Sequence, residues 1–430
     1  MQKKKTNGNN VYVTGMGVLT SSARNIEEFS SDLIHGKSGI GILKGKIVNG
    51  RDAVGAELDV EMVRNNLRIH IENAALPEDT IQKIKKCSHR ASKSIKASLS
   101  CVAEAYMQAE LFRQPVPKER IGLIVAGSNL TYKIREEYLS SYLNGFEYLS
   151  PYYALRFLDT DHVGVISEIY DIGGEGFTIG GASASGNLAI IKAHQLLQLG
   201  IVDVCVISGA VAELTSMELQ GFYNIGALGG RKYADFPELA SRPFDRGHEG
   251  FILGEASGCI ILESEASVVS RNVIPLVKLL GGKNSLDGNR SSNPSLDGEI
   301  NMMRALLKEH SLKPDDISYI NAHGSSSPLG DETELRAIKN IFKSNFSSLW
   351  INSTKSLTGH CLYSAGIVEA IATIIQMNKG FVHPAKNLES PILEGFLFSS
   401  KTSALVDMKY TLSNSFGFGG INSSVLFKNL

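Results

Sequence analysis

The chain has 430 residues, of which 43% are hydrophobic and 20% charged, and its formal net charge is -1 at pH 7. This composition is typical of a globular protein, and the length suggests about two to three ordinary domains or one large fused body. The near-neutral charge gives no basis for non-specific binding to nucleic acid or to an acidic membrane surface, so we expect neither partner.

Targeting and redox features of the sequence are plain. No apolar run is long enough for a membrane span, and residues 1–10 lack the apolar core of a secretory signal, so we expect a short disordered tail there. The cysteines are scattered without metal-ligand spacing, which favours reduced thiols in a cytoplasmic protein. They are Cys87, Cys101, Cys205, Cys259 and Cys361.

The first half of the chain predicts strands that alternate with helices. Apolar runs that end in glycine predict buried strands, and apolar residues at three-to-four spacing predict helices. Between the first helix and the second, residues 37–85 show little periodicity, and we expect loops and short elements. The predicted elements are strands at 11–18, 121–127 and 202–209 and helices at 26–35, 89–111 and 184–199.

The second half repeats this alternation. Its strand ends also carry glycine and polar residues, a rough duplication without a clean sequence repeat. Strands alternating with amphipathic helices indicate an α/β protein with parallel sheets covered on both faces. The predicted elements are strands at 256–263, 277–282, 317–321, 349–352, 404–408, 411–416 and 423–427 and helices at 298–310, 332–342 and 365–377.

Ser183 lies between a glycine pair, Gly180 and Gly181, and the helix predicted from Ala184. The glycines permit a sharp turn from strand to helix, and free N–H groups at the helix start favour developing negative charge. This position suits a nucleophile or an oxyanion site. The simpler interpretation is that Ser183 and Ser185 cap the helix, since serine is a preferred capping residue.

Two histidines follow predicted strands in loops of small polar residues. His323 follows the strand at 317–321 by two residues and precedes a Ser/Gly/Pro turn. This position suits a catalytic histidine, but it suits a hydrogen-bonded core histidine about equally. His360 follows Lys355 by five residues, just before an alanine-rich helix. A lysine is usually solvated, but this spacing makes a functional pair more plausible.

A glycine- and phenylalanine-rich loop occurs near the end of the chain. It contains Phe416, Gly417 and Phe418 within the segment Asn414–Asn422. Glycines let a backbone approach a ligand closely while aromatic rings close over it. We therefore predict that these three residues contact substrate rather than form an exposed hairpin.

Taken in order, these motifs resemble those of the β-ketoacyl-ACP synthases of the elongating type II class, where ACP is the acyl carrier protein. The segments Val13–Val18 and Ser241–Glu255 match the family too, so the resemblance runs from about Val11 to Lys428. It implies a thiolase-like fold, a duplicated five-layer α/β/α/β/α arrangement, usually as a homodimer. We place the N-terminal half at 11–250 and the C-terminal half at 251–430.

The resemblance also implies residue roles. In the family, two histidines, here His323 and His360, hydrogen-bond the thioester oxygen of a malonyl group and stabilise the enolate that forms as carbon dioxide leaves. The lysine, here Lys355, supports them, and the second phenylalanine, Phe418, gates the site. Hydroxyls, here Ser325 and Ser327, contact the phosphopantetheine arm that the ACP substrate carries, and no other cofactor is expected.

Ser183 departs from the family, whose nucleophile is a cysteine. A thiol ionises when a helix N-terminus lowers its pKa, whereas a serine hydroxyl needs a positioned base. Decarboxylation needs only a bound malonyl thioester and donors for its enolate oxygen. The resemblance therefore implies a decarboxylase that converts malonyl-ACP to acetyl-ACP, similar to the serine-bearing homologues of polyketide β-branching.

Three alternatives are compatible with the sequence: a condensing enzyme with a serine nucleophile, a cysteine-to-serine variant of one, and a non-catalytic partner subunit like a chain-length factor. The last usually lacks both histidines, which this chain keeps. ACPs are acidic, so a basic patch should bind them, although a solvated helix face explains the same residues. The candidate patch consists of Lys83, Lys85, Lys86, Arg90, Lys93 and Lys96.

Overall fold

The computed structural model describes residues 10–73, 76–343 and 346–430. The predicted tail therefore lies, except for Asn10, outside the described residues. The sixteen strands in the described ranges are Val11–Thr20 (β1), Gly41–Val48 (β2), Arg51–Ala56 (β3), Ile121–Ala126 (β4), Gly176–Ile179 (β5), Val204–Gly209 (β6), Leu253–Gly254 (β7), Ala256–Ser264 (β8), Val277–Leu286 (β9), Tyr319–Asn321 (β10), Trp350–Asn352 (β11), Phe381–Val382 (β12), Leu397–Phe398 (β13), Ala404–Leu405 (β14), Tyr410–Gly417 (β15) and Ile421–Lys428 (β16).

Fourteen α-helices connect these strands in the described ranges, together with short 3₁₀ turns. The helices are Ile26–His35 (α1), Val60–Asn73 (α2), Glu78–Ser88 (α3), Lys93–Gln108 (α4), Tyr132–Asn144 (α5), Tyr153–Arg156 (α6), Thr160–Tyr170 (α7), Ser185–Gln198 (α8), Ser216–Asn224 (α9), Glu265–Arg271 (α10), Leu296–Glu309 (α11), Pro328–Ile341 (α12), Lys355–Thr358 (α13) and Ala365–Lys379 (α14). None of the described helices is both long and apolar enough to cross a membrane.

The main sheet repeats one strand order. Its order is β13-β11-β10-β15-β16-β9-β1-β8-β6-β4-β5. The strands from β1 to β5 in this order form a first set and those from β13 to β9 a second set, and the two sets meet where Val11–Val13 pairs with Val277–Leu279. From the outer side inward, five strands of each half have the same order when counted along the chain: third, second, fourth, fifth, first. They are β5-β4-β6-β8-β1 in the first set and β11-β10-β15-β16-β9 in the second, where β13 adds one further strand at the outer edge. The fold is therefore thiolase-like and duplicated, as predicted. The predicted division at residues 250 and 251 stays a prediction, and it lies one strand of this sheet before the chain passes from the first set to the second.

The prediction of parallel sheets is wrong in part, because each set is mixed. In the first set β4 runs parallel to β5 and β6, whereas β8 runs antiparallel to β1 and β6. In the second, β10 runs parallel to β11 and β15, whereas β16 is antiparallel to β15 and β9. A strand buried on both faces has the same continuous apolar sequence in either direction, so the pattern does not reveal orientation.

Two helices form the central layer of the molecule. Helices α8 and α14 pack against each other and contact strands of both sets, while α4 and α7 cover the first set. Helix α11 covers the second set, and α12 packs on α11 and shares its apolar cluster with strands of that set. Each central helix follows a 3₁₀ turn that begins with a left-handed residue, Ala182 before α8 and Leu362 before α14. The starts of the two central helices, and the loops that precede them, therefore lie next to each other.

Glycines allow the close approach of the two central helices. A Cβ atom on Gly366 would lie 2.7 Å from the backbone nitrogen of Asn187, and one on Gly186 would lie 2.7 Å from the nitrogen of Ile367. Real Cβ contacts are longer, so no larger residue fits without moving a backbone. The position of the helix starts thus depends on these two residues.

Residues 37–85 differ from the prediction of loops and short elements. They form β2, β3, α2 and most of α3. Helix α2 has an interrupted apolar pattern, because its buried face is narrow and most of its residues are charged or polar. Packing against α4 stabilises this helix more than its own sequence does.

We predict that Gly366→Ala lowers the free energy of unfolding by about 1–3 kcal/mol, the usual cost of overpacking a dense contact. The control is Gly164→Ala in α7, where a Cβ atom meets nothing within 4 Å. This control should stabilise the protein by about 0.5–1 kcal/mol, because alanine has the higher helix propensity. Urea unfolding measures both; equal effects would contradict the packing argument.

Candidate functional site

A strained turn presents Ser183 at the start of α8. Strand β5 ends at Ile179, and Ala182, with φ of 49°, begins the 3₁₀ turn that contains Ser183. Ser185 holds this turn, since its hydroxyl accepts from the N–H of Gly181 at 2.9 Å and donates to the carbonyl of Ala182 at 2.7 Å. A left-handed non-glycine residue is costly, and such strain is concentrated at functional sites.

The capping interpretation of the two serines is wrong. Helix α8 has no side-chain cap, and its capping position is Ala184. Ser185 bonds back to the turn, and the hydroxyl of Ser183 contacts His360 across the site. Ser183 is thus turned away from the helix backbone and toward a histidine from the other half of the chain.

The hydrogen bonds of His360 define which ring nitrogen carries its proton. The Nδ1 atom accepts from the backbone N–H of Leu362 at 3.2 Å, and Nε2 lies 2.8 Å from the Oγ of Ser183. Burial, and then the charge of Lys355, hold the pKa of His360 well below its usual range, so the ring is neutral. A neutral ring that accepts at Nδ1 carries its proton on Nε2. His360 therefore donates to Ser183 and is not its base.

His323 has a similar arrangement, imposed by Lys355. The ammonium of Lys355 donates to the His323 carbonyl at 2.6 Å, faces its Nδ1 at 3.4 Å and pairs with Glu369. Burial and the charge of Lys355 hold the pKa of His323 well below its usual range. The proton of this neutral ring is therefore also on Nε2. The backbone N–H of His323 donates to Glu334 at 2.9 Å, which fixes the loop.

The two imidazoles form one donor site. Their ring centroids lie 5.4 Å apart and their planes are nearly perpendicular. Phe416 packs 5.6 Å from the His323 ring, and Phe251 packs edge-on 5.5 Å from the His360 ring. The aromatic neighbours hold both rings in place and exclude water, which strengthens hydrogen bonds to a developing charge.

A cavity of about 420 Å³ brings the predicted residues together. Lys355 is the exception, since it lies behind His323 and is 1% exposed. The roles assigned to all nine residues stay predictions. The predicted residues that line the cavity are Ser183, His323, Ser325, Ser327, His360, Phe416, Gly417 and Phe418.

Close approach of the C-terminal hairpin completes the cavity beside Ser183. A Cβ atom on Gly417 would lie 2.6 Å from the carbonyl oxygen of Gly181, so only glycine lets β15 come this close to the serine turn. Strands β15 and β16 make this segment a hairpin, contrary to the prediction, but its rings line the cavity, and Phe418 is partly exposed there. The glycine spacing of this loop is therefore a requirement of the site.

Several residues of the cavity wall were not singled out from the sequence. Phe222 lies 6.1 Å from the ring of Phe418 and contacts Phe251. Tyr363, Asp287 and Glu299 also line the cavity. Phe222 and Glu299 lie in helices without a catalytic motif, Asp287 lies in a loop, and Tyr363 follows His360 by three residues. Their place on the cavity wall is visible only in the folded arrangement. Among the described residues, no cluster of His, Cys, Asp or Glu suits a metal ion.

Two family models match most of the chain: "Beta-ketoacyl synthase, N-terminal domain" at residues 8–267 and "Beta-ketoacyl synthase, C-terminal domain" at residues 278–389. The chain belongs to the β-ketoacyl synthase family.

Curated relatives of the family span nearly the whole chain. The polyketide biosynthesis malonyl-ACP decarboxylase PksF of Bacillus subtilis (strain 168) is 39% identical over 99% of this chain and 98% of the relative. The mitochondrial 3-oxoacyl-[acyl-carrier-protein] synthase of Arabidopsis thaliana is 30% identical over 98% and 93%. The 3-oxoacyl-[acyl-carrier-protein] synthase 2 of Staphylococcus aureus (strain COL) is 30% identical over 97% and 98%.

Solved ketosynthase structures share the fold. The ketosynthase in complex with its type II polyketide acyl carrier protein has a TM-score of 0.84 at 22% identity and covers 99% of this chain and 100% of its own. A β-ketoacyl synthase from Burkholderia phymatum STM815 has a TM-score of 0.82 at 22% identity, with coverage of 98% and 100%. These matches support the thiolase-like fold.

We predict that Lys355→Met lowers the free energy of unfolding by about 3–5 kcal/mol, because it leaves the buried carboxyl of Glu369 without its cation. The matched control is Lys86→Met, which breaks an exposed pair with Glu168 and should cost less than about 1 kcal/mol. Chemical denaturation measures both. Similar losses in the two variants would show that the buried pair is not needed for stability.

Proposed function

We propose that the protein decarboxylates malonyl-ACP to acetyl-ACP in polyketide biosynthesis, in the β-branching step that the sequence suggested. The observation that carries this proposal is the backbone N–H of Leu362 at Nδ1 of His360, because it places the imidazole proton on Nε2, opposite Ser183. The imidazole donates to the hydroxyl. An imidazole that donates does not withdraw the serine proton, so Ser183 lacks the base that a serine nucleophile needs.

The same geometry suits decarboxylation. When carbon dioxide leaves a malonyl thioester, negative charge develops on the thioester oxygen. The Nε2–H groups of His323 and His360 face one cavity. When the malonyl group is bound, the Nε2–H of His360 exchanges the hydroxyl of Ser183 for the thioester oxygen, so that both imidazoles donate to that oxygen. Such preorganised donors typically contribute a factor of about 10²–10³ each. No covalent intermediate is required.

The cavity also suits a thioester on a phosphopantetheine arm. Ser325 and Ser327 supply hydroxyls along the wall that leads away from Ser183, and Phe418 stands beside the serine turn. The relative PksF, whose name specifies a malonyl-ACP decarboxylase, covers almost the full length of the chain. The absence of any cofactor other than the arm stays a prediction, as does a cytoplasmic location.

We further propose ACP as the partner, although the predicted basic patch is largely neutralised. Lys83 pairs with Asp79, Lys86 with Glu168, and Lys93 is buried beside Glu255. None of the six predicted residues lines the cavity. The mouth of the cavity instead carries exposed apolar side chains, Ile225 and Leu329. An ACP surface with apolar contacts would therefore fit better than a purely acidic one.

A homodimer is the proposed assembly. An exposed apolar surface runs through residues 139–158, with Leu143 72% and Phe146 80% exposed, and β5 is one of the two edge strands of the main sheet in the described residues. Large apolar patches and open strand edges are usually covered in a native protein. A second copy that pairs along this edge would cover both.

We predict that His323→Ala and His360→Ala each reduce carbon dioxide release by about 10²–10³-fold, because each removes an enolate donor. Ser183→Ala should retain the rate within about tenfold, the effect of one weak neutral hydrogen bond. Release of carbon dioxide from malonyl-ACP, followed with purified variants of equal thermal stability, measures this. Equal losses in all three variants would indicate that Ser183 acts chemically.

We predict that Leu143→Asp combined with Phe146→Asp converts the dimer to a monomer, because two charges in an apolar interface stay unpaired. The control is Ile274→Asp, which is 88% exposed and lies outside this surface. Light scattering after size-exclusion chromatography measures the mass. A wild-type monomer, or a double variant that stays dimeric, would contradict the proposed interface.

A further inference from the structure

Glu299 is a buried carboxyl group without a partner. It lies in the first turn of α11, is fully buried and belongs to the cavity wall. Neither carboxyl oxygen has a hydrogen-bond partner among the described residues. Each of the other fully buried glutamates among the described residues has at least one hydrogen-bond partner for its carboxyl group. These are Glu255, Glu263, Glu334 and Glu369.

The surroundings of Glu299 keep its proton in place. Burial, together with the charges of Glu334 and Asp287, raises the pKa of Glu299 well above its ordinary value. Asp287 has a different environment, since it is only half-buried and accepts a hydrogen bond from the Nδ2 of Asn422 at 2.6 Å. Burial also raises the pKa of Asp287, and the bond from Asn422 opposes that effect. Two carboxyl groups on one cavity wall thus have different environments, as catalytic acids and bases do.

Decarboxylation needs a proton that condensation does not. The bond between the α carbon and the departing carboxylate breaks, and its electron pair enters the enolate. In a condensing enzyme the enolate carbon then attacks an acyl group, whereas a decarboxylase must protonate that carbon. The neutral histidines are poor sources, because loss of an Nε2 proton would leave an imidazolate anion. A carboxylic acid is a much stronger acid than an imidazole N–H or a serine hydroxyl.

We infer that Glu299 is the acid that delivers a proton to the α carbon of the enolate. This inference rests on the proposed function. The carboxyl O–H bond breaks, the proton joins the carbon to give the acetyl group, and Glu299 becomes a carboxylate. The N-terminal turn of α11 stabilises that charge. Asp287, half-exposed on the same wall, then passes a proton from water back to Glu299, so that one proton is consumed for each carbon dioxide released.

The test is Glu299→Gln, which keeps the shape of the side chain and removes its acid. At saturating malonyl-ACP, kcat should fall by about 100-fold, a typical contribution of a general acid, while KM stays within about twofold. Glu299→Leu serves as a second variant that lacks the acid, in case glutamine impairs folding. The control is Glu309→Gln, at the exposed far end of the same helix, where Glu309 pairs with Lys283. This variant should match the wild type.

The handedness of the product is the decisive readout. Malonyl-ACP with deuterium at one defined C2 position is converted in tritiated water, and the chirality of the acetyl methyl group is determined. An acid held in one place protonates one face of the enolate, so the wild type should give a single isomer of the methyl group. Glu299→Gln lacks that acid and should give a mixture of both isomers. A variant that still gives one isomer overturns the inference, whatever its rate. A wild type that forms no acetyl-ACP instead overturns the proposed function.

Discussion

The hydrogen bond from His360 to Ser183 joins the two halves of the duplicated fold where their equivalent 3₁₀ turns meet, with Ser183 inside one turn and His360 just before the other. Each turn starts a central helix, and Gly186 and Gly366 allow those helices to approach closely enough for the bond to form. The direction of the bond follows from the backbone N–H of Leu362, which occupies Nδ1 of the imidazole. The close packing of the two central helices and the N–H of Leu362 thus place Ser183 beside an imidazole that donates to it and cannot take its proton.

Lys355 extends this constraint to the second histidine. Its ammonium is buried, pairs with Glu369 and contacts both the carbonyl and Nδ1 of His323. Burial, and then the charge of Lys355, lower the pKa of both imidazoles, which leaves their Nε2–H groups as donors toward the cavity. The site therefore stabilises an anion without offering a base. This combination serves decarboxylation well and acylation of a hydroxyl poorly.

Much of the fold and the site was predictable because the signals were local. The strand at 121–127 is a continuous apolar run and the helix at 26–35 has strong apolar periodicity, while the His323 and His360 motifs follow strands. Strand direction and the elements of 37–85 were not predictable, since they depend on packing between distant segments. The proton positions on His323 and His360, and the role of Glu299, depend on contacts that no sequence pattern encodes.

The fate of Ser183 during turnover tests the central claim most directly. The purified protein is incubated with malonyl-ACP, and both proteins are weighed intact by mass spectrometry. The account predicts that malonyl-ACP loses the mass of carbon dioxide and becomes acetyl-ACP, while the enzyme keeps its original mass throughout. An enzyme that gains an acyl group on Ser183, or malonyl-ACP that stays unchanged, would contradict it.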